Sequence, residues 1–181
     1  MFDPTHGVVF DLNQGVVRPA GAERAVLVPA AALSRLTEFL DDEAARALGR
    51  ALGASAGAQV AEGLGGVAQA SVAALQDLTD ALAGRIALAG LGVLATETWG
   101  KTLVVVVENC PLKEKALVSA MVEGLFHAAT GRAVSACVVD DAAGALRVLV
   151  GSEALIARAR AALSGGQSFS ALMRVVAGTP S

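Results

Sequence analysis

The residues whose types and spacing suggest chemistry are few. Gly53-Ala54-Ser55-Ala56-Gly57 spells G-x-S-x-G, the nucleophile elbow of esterases. That elbow works only where a strand turns sharply into a helix and lifts the serine out. Here the pentapeptide lies inside a long helical period with no strand before it, so close helix packing is its reading. Gly90-Leu91-Gly92-Val93-Leu94-Ala95 spells G-x-G-x-x-A. A dinucleotide fingerprint needs a strand before it and a helix after it. This segment has the reverse order and reads as a helix-to-strand connection. Asp140-Asp141 reads as the solvated part of a turn.

Other reactive side chains stand alone. His6 lies near the N-terminus, and His127 sits beside Phe126 on a helix, facing either a pocket or solvent. Cys110 follows a strand and opens a helix, where a thiolate gains from the dipole; the plainer reading is an inert half-buried thiol. Trp99, the single tryptophan, stands at a hairpin tip and serves either as a partner surface or as packing over the sheet. A metal needs three or four ligands with a second shell, and no His/Cys/Asp/Glu cluster supplies them. Two cysteines, Cys110 and Cys137, fit neither a disulfide framework nor a zinc spacing. No catalytic residue, metal or cofactor is therefore expected, and the chain reads as a binding module and not an enzyme.

The elements that position these residues follow from periodicity. The chain of 181 residues is 54% apolar and 17% charged, enough for one domain with a sizeable core and too ordered in composition for disorder. Alanine is roughly a fifth of it and aromatics 3%, so its elements must pack closely. A net charge of -3 gives no basic field for nucleic acid or anionic lipid. The longest apolar stretch, residues 86–95, falls short of the ~20 that a membrane span needs, and the N-terminus reads as no secretory signal. A reducing cytoplasmic setting is the expectation.

Val8-Val9-Phe10 and Val16-Val17 flank a turn, and residues 25–28 read as a further β-like run ending at Pro29, which suits a first helical turn. Leu33, Leu36 and Leu40 have helical spacing. From 44 to 64, Leu48, Leu52, Ala56 and Val60 recur every four residues, beside a second stripe of Gly49, Gly53 and Gly57. Glycine costs about 1 kcal/mol per helical position, so a backbone is expected to approach that face, from the core or from a dimer mate. Another helix carries Val72, Leu75, Leu78 and Leu82 and ends between Gly84 and Gly90.

Residues 92–98 and 102–108 form a hairpin, and the unalternating Val104–Val107 run predicts a strand buried on both faces. A helix starts at Pro111, with Leu117, Met121, Leu125 and Ala128 on one face and Gly131 as C-cap. Strands 133–139 and 145–150 flank a turn at 140–144, and a helix covers 152–163. The order predicts an α+β domain over residues 1–164, with a mainly antiparallel sheet packed against a helical layer. In the tail, 165–181, Phe169, Leu172, Met173 and Val176 would form a short amphipathic docking helix.

Four segments together resemble a known family. Leu94-Ala95-Thr96-Glu97, through Leu103-Val104-Val105-Val106-Val107-Glu108-Asn109-Cys110-Pro111, is similar to the hairpin and V-E-N-S-P turn of the 4-vinyl reductase domain. Residues 124–134 resemble its glycine-marked helix leading into a strand, Gly49, Gly53 and Gly57 its glycine-rich helix, and residues 24–29 its R-x-V-L-V-P opening. The resemblance covers about residues 8–150 and implies the fold of the small Bet-type TRAPP tethering subunits, commonly as homodimers. Family members often carry zinc-binding cysteines late in the domain. Cys137 falls near one such position and Leu146 stands at another, which implies no metal here. Val107 stands near the tryptophan of aromatic-sensing members.

The resemblance implies a non-enzymatic dimeric binding module of regulatory or protein-interaction type, with a small GTPase or its regulator as a possible partner. Some TRAPP relatives are lipidated on a cysteine, which brings Cys110 forward. The alternative is a sensor binding a small apolar ligand between helices and sheet. Trp99, Cys110, Phe126, His127, Phe169 and Met173 are the ligand or partner candidates for either reading.

Overall fold

Val104, Val105, Val106 and Val107 form a run that one apolar face cannot bury, so helices must cover both sides of their sheet. The computed structural model describes residues 8–11, 13–14, 16–19, 25–100, 102–142, 144–166 and 172. Its elements begin with β1 (Val8–Asp11), β2 (Val16–Pro19), α1 (Ala30–Thr37), α2 (Asp42–Gly63), α3 (Val67–Val72) and α4 (Leu75–Leu88). They continue with β3 (Val93–Trp99), β4 (Thr102–Glu108), α5 (Lys115–Thr130), β5 (Ser135–Ala142), β6 (Ala145–Gly151) and α6 (Glu153–Ser164).

The fold is α+β. A four-stranded sheet of order β3-β4-β6-β5 is antiparallel throughout. Val105 and Val107 face α4 and α5, with α2 packed across α5, while Val104 faces α6 on the other side. All four valines are buried, as their run predicts. Local signals set the ends. Asp41 caps α2 by accepting the Ala44 N–H at 2.8 Å, and Ser152 caps α6. Gly131 closes α5 at φ 69°, its N–H bonded to the His127 carbonyl at 2.8 Å. The first hairpin forms as expected, its turn held by Asp11, whose Oδ1 accepts the N–H groups of Asn13 and Gln14.

Several expectations are corrected. In the β-like run 25–28 only Ala25 is paired, its N–H donating to the Val17 carbonyl at 2.7 Å. Val26, Leu27 and Val28 stand exposed, because strand propensity needs a neighbouring strand to act on. The helix carrying both Val72 and Leu75 is two helices. Ala73 and Ala74 are extended at ψ 153° and 140°, Arg132 Nη2 donates to the Ser71 carbonyl at 2.8 Å, and Val72 and Leu75 are exposed. α3 packs on α5 and α4 on β3, which one straight helix cannot do.

α5 starts at Lys115 and not at Pro111. Asn109 turns the chain with φ 53°, and Leu112 is buried before the helix begins. Asp140 and Asp141 belong to β5, which continues past a register shift after Val138. Asp140 Oδ2 meets Arg147 Nη1 at 3.0 Å across the ladder, and Asp141 meets Lys115 at 3.6 Å. Arg147 across the ladder and Lys115 at the start of α5 are thus the partners of these two strand residues.

Candidate functional site

The glycine stripe has a definite counterpart. A Cβ on Gly49, Gly53 or Gly57 would fall on the carbonyl oxygen of Leu117, Met121 or Leu125 respectively. Equal four-residue steps on both helices mean that α2 and α5 run parallel and touch backbone to backbone. Gly124 of α5 answers in kind, since its Cβ would meet the Arg50 carbonyl oxygen. The glycines thus face the chain's own core. Ser55 lies on the opposite, exposed side of α2, in mid-helix. No strand presents it, so it has none of the geometry of an elbow.

With α2 seated on one side of α5, the other side is free to meet the sheet. Leu82 and Ile86 of α4, Met121 and Leu125 of α5, and Val105 and Val107 of β4 pack there in one apolar cluster. Phe126 belongs to this cluster and is buried. Cys110 packs at its rim, half-buried. Burial pushes its thiol above the usual range, offset in part by a backbone hydrogen bond at Leu112. Because α5 begins five residues later, Cys110 does not open that helix as expected and has no helix dipole to stabilise a thiolate, and its half-burial matches the plainer reading. Gly92, at φ 113°, lies against the Glu108 carbonyl, so the G-x-G segment serves strand pairing.

The opposite sheet face has its own cluster, in which Trp99, Val104, Cys137, Leu149, Ile156 and Leu172 meet. Trp99 is 9% exposed, and its Nε1 donates to Glu97 Oε2 at 3.0 Å. It packs over the sheet and is not open to a partner. Glu97 and Asp140 hold Arg147 between them at 3.4 and 3.0 Å, with the Glu97 contacts the larger cause of the guanidinium's raised pKa. Sequence reasoning missed this network. An arginine inside the otherwise apolar strand Ala145–Gly151 was the available signal.

Cys137 is buried and its thiol is pushed up to about 11, chiefly by desolvation. Leu146 belongs to the other cluster, so the late cysteine positions of the resemblance face opposite sides of the sheet. Among the described residues no group of three or more His, Cys, Asp or Glu side chains could hold a metal ion. His127 is exposed, with Nδ1 3.4 Å from the Arg132 carbonyl oxygen. Phe169 and Met173 lie outside the described residues; of the tail stripe Leu172 alone is described, and it is fully buried against the α6 face. The candidates therefore divide: Cys110 and Phe126 share the helical side, Trp99 takes the other face, and His127 points to solvent.

No protein-family model matches the chain, and no curated protein matches it. Among solved structures it is similar to the crystal structure of the phenol-responsive sensory domain of the transcription activator PoxR with phenol. The TM-score is 0.63 at 15% identity, over 90% of this chain and 92% of that one. The chain has the fold of that sensory domain. Among the described residues no helix is long and apolar enough to cross a membrane.

Proposed function

We propose that this chain is a sensor domain for a small apolar molecule, taken up on the helical side of the sheet between α4, α5 and β4. The observation that carries the reading is the fold shared with a phenol-responsive sensory domain across nearly the whole length of both chains. The apolar interior supports it, since Leu82, Ile86, Val105, Val107, Met121 and Leu125 offer dispersion contacts and no charge. Membership of the 4-vinyl reductase family, action without catalysis, a cytoplasmic setting and a homodimeric state complete the proposal, on the sequence resemblance. The reading as a TRAPP-like interaction module with a small GTPase rests on that resemblance alone, and the likeness to a sensory domain favours the sensor.

The test is a thermal-shift screen of small aromatic and aliphatic compounds, with native mass spectrometry of the purified protein. A bound ligand at a hundredfold excess over its Kd should stabilise the fold by about 2.7 kcal/mol. Val105→Phe, which places a larger side chain in that cluster, should abolish the shift, with circular dichroism checking that the fold persists. No shift from any compound at millimolar concentration, with no co-purifying molecule, overturns the reading.

A further inference from the structure

The two edges of the four-stranded sheet are treated differently. At β5, Glu123 Oε1 accepts the Ala136 N–H at 2.9 Å and Ser119 Oγ accepts the Val138 N–H at 3.1 Å. Arg160 Nη2 donates to the Ala136 carbonyl at 2.9 Å. The register shift after Val138 bends the same edge. Side chains thus occupy the outward backbone groups, a familiar guard against further strand pairing.

β3 carries no such guard. Trp99 pairs with Thr102 across the two-residue turn, which makes theirs a hydrogen-bonded pair. Alternation from there turns the N–H and C=O groups of Leu94, Thr96 and Thr98 away from β4. The same alternation carried through β6 turns Ala136 and Val138 outward on β5, which is where the caps are found. Among the described residues no hydrogen bond reaches the outward groups of Leu94, Thr96 and Thr98.

We propose that the β3 edge pairs with the β3 edge of a second copy of this chain, antiparallel about a twofold axis at Thr96, joining the two sheets into one. The inference rests on the homodimeric part of the reading above and names its surface. The strand is self-complementary in this register. Thr96 faces its own copy and Leu94 faces Thr98, each pair exchanging both hydrogen bonds. Glu97 lies opposite Ala95, so no like charges stand directly opposite, and each Glu97 is held by its own Arg147. Val93, 52% exposed in the single chain, comes under cover where it runs beside the end of the second copy's strand. Because the β5 edge is capped, the pairing closes at two copies and does not propagate.

The experiment compares the full chain with Thr96→Pro and Thr98→Lys by sedimentation equilibrium from micromolar to millimolar concentration, with circular dichroism as the folding control. Proline at 96 removes an N–H that β4 does not use, and lysine at 98 guards the edge as charges do elsewhere. The expected result is a dimer for the parent chain and half that mass for both variants, with unchanged dichroism. Should Thr96→Pro not fold, Thr98→Lys decides. Concentration-dependent protection of the Leu94, Thr96 and Thr98 amides from hydrogen exchange in the parent chain gives an independent readout. A dimer that persists in the folded variants, with those amides exchanging freely, overturns the edge and leaves the homodimer standing. A parent chain monomeric throughout overturns both, and the ligand screen above is unaffected by either result.

Discussion

Between α2 and α5 the chain closes a core by bringing backbones together. In residues 8–39 it carries large apolar side chains that no core receives. Gly49, Gly53, Gly57 and Gly124 leave no room for a Cβ at the seam. Phe39, by contrast, is 85% exposed and Val26 79%, with Val9, Phe10, Leu27, Val28 and Leu36 also in solvent. Hydrophobic content therefore does not locate the core of this protein. Two four-residue strands and an eight-residue helix are too short to bury a face of their own. The long parallel helices bury theirs with the smallest residues available.

The sharpest way to break this comparison is Gly53→Leu. The new Cβ meets the Met121 carbonyl oxygen and, at 2.8 Å, the Leu125 nitrogen, both backbone atoms that no rotamer change can move. Overpacking usually costs ~1–3 kcal/mol, and a collision with backbone belongs at or beyond the top of that range. Set against a total stability of about 5–15 kcal/mol, the variant should unfold at much lower urea or fail to fold. A parent-like urea midpoint would mean that the helices do not meet at this seam.

A smaller effect comes at alkaline pH from the buried thiol on the α6 side of the sheet. Desolvation raises the Cys137 thiol from 9.0 to about 11 in the folded chain. The unfolded thiol loses its proton first, so stability is whole below pH 9 and declines as pH rises from 9 toward 11. The loss by pH 11 is about 2–3 kcal/mol. Cys137→Ala should flatten that part of the stability–pH curve, measured by urea unfolding at successive pH values. An unchanged slope would place the thiol in contact with water.

Much of this architecture was legible in local sequence. The valine run, the β3–β4 hairpin pairing and the Gly131 cap each act over a few residues, and each is found where expected. What depended on distant partners was not legible. The four-residue glycine spacing announces a close backbone without naming it; Gly124, lone on its helix, was the reciprocal signal. Asp140 was read as turn because the arginine that holds it in the strand lies across a ladder, and Glu97 stands 50 positions from that same arginine. The candidate site divided for the same reason. Helical neighbours Phe126 and His127 point to core and solvent, and only packing with the sheet decides which.

The smallest expected effect lies in the N-terminal arm and tests whether its apolar surface is free. Phe39 follows α1 and keeps most of its side chain in water, so Phe39→Ser removes little that folding has buried. Substitutions at such surface positions usually change stability by within ±0.5 kcal/mol. Full burial of a phenylalanine, by contrast, contributes about 1.5–3 kcal/mol. Urea unfolding of Phe39→Ser at low protein concentration should therefore match the parent chain. Repeating it at high concentration sharpens the contrast between arm and seam. If the variant stays neutral, the arm contributes nothing to assembly and the two-copy contact lies elsewhere, as the β3 edge requires. If it loses more than about 1 kcal/mol only when concentrated, the difference exceeds the ordinary surface range and Phe39 is covered by a second molecule. Assembly would then run through the arm, and the unpaired edge of β3 would need another occupant.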